Sequence, residues 1–186
     1  MAYRNGTYIA FDGNATANQT QSDIKYYRLL QAWNQRGNHI LTFSDSHQKT
    51  CQVRDSSSMS TLQHRLLERL RSSKNMVVII SEDTAWDRGM LNFEISKAVD
   101  VYKLPLIIAY AGYEYILNPR QLSTLWPKAL SERIKNGSAM CIHIPFKEQA
   151  VMAAISQFSV HSTGNNILTS PYTYYSEDTY IKWGYK

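Results

Sequence analysis

Short apolar runs that alternate with helical patterns constrain the fold of this chain more than any other feature of its sequence. Five runs have the length and composition of buried strands: Thr7–Phe11, His39–Phe43, Met76–Ile80, Leu104–Tyr110 and Ala139–Ile144. Between and after them lie segments whose apolar residues recur at helical spacing. Strands that alternate with helices indicate a parallel sheet covered by helices on both faces. We therefore expect an α/β protein.

The number and handedness of these units predict a flavodoxin-like, three-layer fold. The helical segments are Ile24–Gln35, Ser60–Ser72, Met90–Tyr102, part of Asn118–Lys135, and Lys147–Phe158. Right-handed crossovers between five strands favour the sheet order 2-1-3-4-5. In that order a ligand crevice lies beyond the carboxyl ends of the first and third strands, at Asp12-Gly13-Asn14 and Ser81-Glu82-Asp83.

The composition fits one globular domain with a distinct tail. Of 186 residues, 44% are hydrophobic and 19% are charged, which excludes wholesale disorder. We expect residues 1–160 to form the domain and residues 161–186 to form an aromatic-rich C-terminal extension. Six large aromatics lie in the extension: Tyr172, Tyr174, Tyr175, Tyr180, Trp183 and Tyr185. They predict packing on the domain or on a neighbouring subunit, and an aromatic interaction arm is the alternative.

Several features predict a cytoplasmic protein without a metal site. The N-terminus has no apolar signal region, and the longest apolar runs are too short to span a membrane. The two cysteines, Cys51 and Cys141, lie far apart in the sequence, and the chain has no CxxC motif and no Cys/His cluster. Two isolated cysteines suit a reducing compartment. We therefore expect no membrane association and no bound metal.

The net charge of +5 lies entirely in the first part of the chain. Residues 1–75 hold 10 Lys and Arg against 5 Asp and Glu, whereas residues 76–186 hold 10 against 10. The pattern is compatible with an anionic partner, either a phosphorylated ligand or nucleic acid. It is also compatible with a solvated helix face, because Arg65, Arg69 and Arg71 fall outside a leucine stripe. We expect no specific nucleic-acid site there.

Common catalytic signatures are absent, and this directs attention to the carboxylates. The sequence has no GxGxxG, GxxxxGK[ST], GxSxG or HExxH motif, and its five histidines form no spaced pair. Most metallohydrolases and Ser/His hydrolases are thereby excluded. On a wheel of about 100° per residue with Leu91 at zero, Glu94 falls near −60°, inside an apolar arc, and Asp100 near 180°. A buried acid is costly unless it is paired or functional.

Several stretches together resemble a known family. They are Thr7–Gly13, Tyr26–Trp33, Arg54–Ser57, the basic helix Leu62–Leu70, Val78–Thr84, Asn92–Ile95 and Leu104–Ile107. In order and spacing they resemble the TIR-like proteins of bacteria, in particular the signal-generating group of the Thoeris antiphage system. The resemblance covers about residues 7–110.

The resemblance implies an activity and a set of site residues. Active members cleave the nicotinamide–ribose bond of NAD, and Thoeris-like members make cyclic or conjugated ADP-ribose signals for a separate effector protein. NAD is then a substrate, no cofactor is required, and self-association is a further expectation. The family's catalytic glutamate falls on Glu94. The expected substrate-binding residues are Phe11, Asp12, Gly13, Asp45, Arg54, Trp86 and Phe93.

Two positions depart from the family pattern, and other functions remain open. Phe93 stands where tryptophan often precedes the glutamate, and the first strand ends in Phe11-Asp12-Gly13 instead of an aromatic-hydroxyl pair. The alternatives are a non-catalytic TIR assembly module, a phospho-receiver-like signalling domain and a nucleic-acid binder. A receiver would be expected to end its third strand in Asp, whereas Ser81 stands there.

Overall fold

The structure is a computed structural model that describes residues 3–12, 23–36, 43–45, 59–82, 84 and 90–186. Its strands are β1 (Gly6–Ala10), β2 (Phe43–Asp45), β3 (Ser73–Ile80), β4 (Leu106–Tyr110), β5 (Cys141–Pro145) and β6 (Thr173–Tyr174). Its α-helices are α1 (Ile24–Arg36), α2 (Met59–Ser72), α3 (Leu91–Asp100), α4 (Lys128–Lys135), α5 (Glu148–Gln157) and α6 (Glu177–Lys182). A 3₁₀ helix, Pro119–Leu125, precedes α4. Within the described ranges, no helix has the length and apolar character needed to cross a membrane.

The strands form one parallel sheet in the order β2-β1-β3-β4-β5-β6. The parallel α/β architecture predicted from the sequence is confirmed. The sequence predicted five strands, whereas the sheet includes β6, which comes from the tail and pairs with β5 through Ile142 and His143. Because β1 lies between β2 and β3, the chain leaves β1 toward one side and later returns on its other side. A ligand crevice is expected at this point of the sheet.

Alternating side chains divide the core between the two faces of the sheet. On one face, Tyr8 and Ala10 belong to a buried cluster with apolar residues of α2, α3 and α4. On the other face, Ile9 and Phe11 belong to a cluster with residues of α1 and α5. The two-residue period of a strand produces this division. The core residues of β3 are at most 1% exposed, as expected for a strand covered on both faces.

Helix α3 is shorter than its apolar pattern predicts. The pattern runs to Tyr102, but the helix ends at Asp100, and Val101 is 56% exposed. The chain then reverses through Lys103, whose φ of 52° is left-handed, and the Leu104 amide bonds the Ala98 carbonyl at 2.9 Å. This tight turn places Leu104 in the core and leaves Val101 exposed.

The tail contains regular secondary structure and packs on the rest of the chain. Residues 161–186 supply β6 and α6, and the Tyr180 side chain is fully buried. The Trp183 ring meets Tyr175 edge-on with centroids 5.0 Å apart, and Tyr175 lies near Phe158 at the end of α5. Burial of such aromatic surface is a large stabilising contribution for a segment with few aliphatic residues.

Candidate active site

The acidic residues of the candidate site lie on segments that follow β1 and β3 in the chain. Asp12 lies two residues beyond the last residue of β1, and Ser81 directly follows β3. Asp23 immediately precedes α1, and Glu94 lies in the first turn of α3. Because β1 and β3 are neighbours in register, the segments that follow them begin at the same edge of the sheet.

Glu94 is the most buried acid of α3. Its residue is 3% exposed and is flanked by buried Leu91, Ile95 and Ala98. The structure thus confirms the wheel prediction that Glu94 faces inward, while Asp100 on the same helix is exposed. A carboxylate in a first helical turn is favoured by the positive end of the helix dipole, which offsets part of its burial cost. Its catalytic role stays a prediction.

Contacts with α4 fix the orientation of the helix that carries Glu94. The Asn92 side-chain oxygen accepts a 2.7 Å hydrogen bond from the backbone amide of Ala129, in the first turn of α4. An N-terminal amide of α4 that no intrahelical carbonyl can reach is thereby satisfied. Phe93 is half-buried against the same core cluster, and the Lys97 ammonium lies 5.5 Å from its ring centroid.

Phe11 and Asp12 directly follow β1 and are both buried. Phe11 is 3% exposed, and its ring stacks on Tyr27 of α1 with centroids 5.9 Å apart. Asp12 is 4% exposed, and its carbonyl accepts a 3.4 Å hydrogen bond from the Asp23 amide. The segment after β1 is therefore tied to the start of α1. Substrate contact by either side chain stays a prediction.

The structure adds Asp23, which is not among the site residues predicted from the sequence. Its residue is 2% exposed, and its Oδ2 accepts hydrogen bonds from Ser81 Oγ at 3.1 Å and Thr84 Oγ1 at 3.4 Å. Burial raises the pKa of Asp23 to about 6; the two hydroxyls and Lys25 oppose this rise, and Asp12 adds to it. One feature of the sequence could have pointed to Asp23: the two acids Asp12 and Asp23 stand at the two ends of the connection from β1 to α1.

Of the four other predicted site residues, the structure describes only Asp45. Gly13, Arg54 and Trp86 lie outside the described residues. Asp45 is the last residue of β2, where its backbone pairs with Ile9 of β1. These roles stay predictions.

A comparison with protein families assigns the part of the chain that contains this site. The family model of the TIR-like domain of the Thoeris protein ThsB matches residues 8–114. The match covers more than half of the chain, from β1 through β4, and includes Asp12, Asp23 and Glu94. The chain therefore belongs to the TIR-like domain family of the Thoeris antiphage defence protein ThsB.

Proposed function

We propose that this chain is an enzyme that cleaves the nicotinamide–ribose bond of NAD and makes a cyclic or conjugated ADP-ribose signal in antiphage defence. The observation that carries the proposal is Glu94, an acid that is 3% exposed beside the expected crevice of a Thoeris TIR-like domain. The diffusible product would act on a separate effector protein.

A single carboxylate is chemically sufficient for this cleavage. Ordinary glycosidases use two carboxyl groups, in part because the leaving oxygen must be protonated. The nicotinamide of NAD is a cationic pyridinium, and the bonding electron pair returns to its ring nitrogen when the bond breaks. Nicotinamide then leaves as a neutral molecule, and no general acid is required.

The role we propose for Glu94 is electrostatic. As the bond breaks, positive charge develops on the ribose ring in an oxocarbenium-like transition state. An ionised carboxylate held next to the ring stabilises this charge more than it stabilises the ground state. The surroundings of Glu94 are already ordered by the α3 core contacts, so little reorganisation is needed when the charge develops.

The acceptor determines the product. Attack by water on the ribose carbon gives ADP-ribose, whereas attack by a hydroxyl or base nitrogen of the same nucleotide gives a cyclic product. We propose that Arg54 holds the pyrophosphate, because a guanidinium can donate two parallel hydrogen bonds to it. We assign Phe11, Asp12, Gly13, Asp45, Trp86 and Phe93 to the walls of the nucleotide site.

Replacement of Glu94 by Gln tests the catalytic assignment. The amide keeps the size and polarity of the side chain but removes the charge, so the protein should fold and lose about 10²-fold or more of its NAD cleavage. Asp100→Asn is the matched control, because it makes the same chemical change on the exposed side of the same helix. Nicotinamide release should be measured with purified protein and in phage-challenged cells.

The result separates the enzyme from its main rival. Parental NAD cleavage by a folded Glu94→Gln protein would refute the catalytic role of Glu94. Unchanged phage protection by the same variant would favour a non-catalytic TIR assembly module.

A further inference from the structure

We propose that Asp23 is a positioning residue of the NAD-cleaving site, which holds the turn after β3 against the end of β1. The proposal rests on the proposed function. Asp23 does not need to touch the substrate in this role. It acts through Ser81 and Thr84, which lie at the start of the segment that leads to α3.

The hydrogen bonds around Asp23 join three separate parts of the chain. The Asp23 amide bonds the Asp12 carbonyl at 3.4 Å, which ties the start of α1 to the segment after β1. Its carboxylate bonds Ser81 and Thr84, which lie 58 and 61 residues further along the chain. Asp23, Asp12 and Thr84 are each at most 4% exposed.

The turn that Asp23 holds is itself closed by two further bonds. The Thr84 amide donates to the Ser81 carbonyl at 3.3 Å, as in a β-turn, and the Ser81 amide donates to Thr84 Oγ1 at 2.8 Å. With its oxygen already accepting from that amide, the Thr84 hydroxyl has its hydrogen available for Asp23. Both hydroxyls thus donate to one oxygen, Oδ2, which an ionised carboxylate can accommodate.

The turn that Asp23 holds lies at the entry to the segment that leads to Glu94. Thr84 and Met90, the residue before α3, are separated by five residues in the sequence, so a displaced turn changes the point from which this connection starts. In the proposed role, such a displacement is passed on to the first turn of α3. A misplacement of about 1 Å can reduce a rate by about 10²-fold.

The hydrogen bonds that Ser81 and Thr84 donate to Asp23, here called the Asp23 clamp, suggest a pair of substitutions that separates two roles for Asp23. Asp23→Ala removes the acceptor of both hydroxyls, whereas Asp23→Asn keeps one acceptor oxygen, replaces the other by an NH2 group and removes the charge. A positioning role therefore predicts rescue by asparagine, and a direct electrostatic role on the substrate does not. Asp178→Asn is the matched control, because Asp178 is an exposed acid in the first turn of α6.

The test uses the full chain and two readouts. Steady-state NAD cleavage should show at least a 10-fold lower kcat in Asp23→Ala with KM within about 3-fold, and kcat within about 3-fold of the parent in Asp23→Asn. Hydrogen exchange should accelerate over residues 90–95 in Asp23→Ala but not in Asp23→Asn. Thr84→Val, which removes one hydroxyl and keeps the side-chain shape, should reproduce part of both effects and serves if Asp23→Ala does not fold.

The outcomes distinguish this proposal from the one it rests on. Parental kcat and parental exchange in Asp23→Ala, or in Thr84→Val where the alanine variant does not fold, would overturn the positioning role. A loss in Asp23→Asn as large as that in Asp23→Ala would also overturn it and assign Asp23 to direct electrostatics. If the parent cleaves no NAD in challenged cells, the proposed function fails, and the exchange measurement still decides whether Asp23 orders α3.

Discussion

Two buried polar networks lie in different parts of the sheet, and they differ in whether they contain a charged group at pH 7. At the end of β1 and β3, a carboxylate, Asp23, is the shared acceptor of two hydroxyls. Between β4, β5 and the tail, a histidine, His143, joins a chain of neutral groups. Both residues are at most 2% exposed. The first network contains Asp23, which ionises near neutral pH, whereas the groups of the second network stay neutral.

The His143 network has a single consistent direction. A carbonyl can only accept, so the 2.9 Å contact from His143 Nε2 to the Pro171 oxygen places the ring proton on Nε2. His143 Nδ1 must then accept from the Tyr110 hydroxyl at 2.8 Å, and the Tyr110 oxygen accepts from Trp126 Nε1 at 2.7 Å. Every donor in this hydrogen-bond network therefore has an acceptor, and no group in the network needs to be ionised.

The contrast separates a network inside the part of the chain that matches the family from one outside it. Burial lowers the pKa of His143 to about 4, so the ring stays neutral at pH 7 and serves as an anchor between β5 and the tail. Burial raises the pKa of Asp23 to about 6, so its carboxylate is ionised at pH 7 in surroundings that disfavour the charge. The family match contains Asp23, whereas His143 and Pro171 lie beyond it.

Removal of the neutral anchor should give the largest change in stability. His143→Leu leaves the Tyr110 hydroxyl hydrogen and the Pro171 oxygen without their partners. Two buried unsatisfied groups should lower the free energy of unfolding by on the order of 2–5 kcal/mol, measured by urea denaturation. His161→Ala, which removes an exposed ring, is the control and should cost less than about 1 kcal/mol. Equal midpoints for the two variants would remove the distinction between anchor and surface.

Features that depend on local periodicity could be predicted from the sequence, whereas features that depend on distant residues could not. Apolar runs and helical spacing were sufficient to predict most strands and helices and the inward direction of Glu94, because these depend on local periodicity. Strand β6 was missed because Thr173–Tyr174 is two residues long and has no apolar run. The Asp23 clamp was missed because its partners are 58 and 61 residues away, a distance at which no periodicity operates.

The pH dependence of stability should have opposite signs for the two networks. The folded-state pKa of Asp23, about 6, lies above the ordinary aspartate value of 3.8, so its contribution to stability is present at low pH and is lost as pH rises from about 4 to 6. The folded-state pKa of His143, about 4, lies below 6.5, so its contribution is lost as pH falls from about 6.5 to 4. We expect amplitudes on the order of 2 kcal/mol for Asp23 and 3 kcal/mol for His143.

Unfolding free energies at several pH values between 4 and 7.5 would measure these signs. In Asp23→Asn, stability should rise more steeply with pH than in the parent, because the opposing contribution of Asp23 is gone. In His143→Leu it should rise less steeply. Parallel curves for the parent and both variants would mean that neither buried group titrates in this range.

The smallest effect should come from an acid on the helix that carries Glu94. Asp100 is about half exposed and pairs with Arg133 of α4, whose hydrogen bonding is the main reason that the pKa of Asp100 is lowered. Its contribution is present above its ordinary pKa and is lost as the pH falls below about 4. Exposed pairs are typically worth about 0.2–1 kcal/mol, and Arg133 keeps a 3.0 Å bond to the Ala129 carbonyl when the pair is broken. Asp100→Asn should therefore lower the unfolding free energy by less than about 1 kcal/mol at pH 7 and leave NAD cleavage within about 2-fold of the parent. A loss of cleavage as large as that of Glu94→Gln, in a folded protein, would show that the rate responds to the charge of α3 as a whole and not to its buried acid.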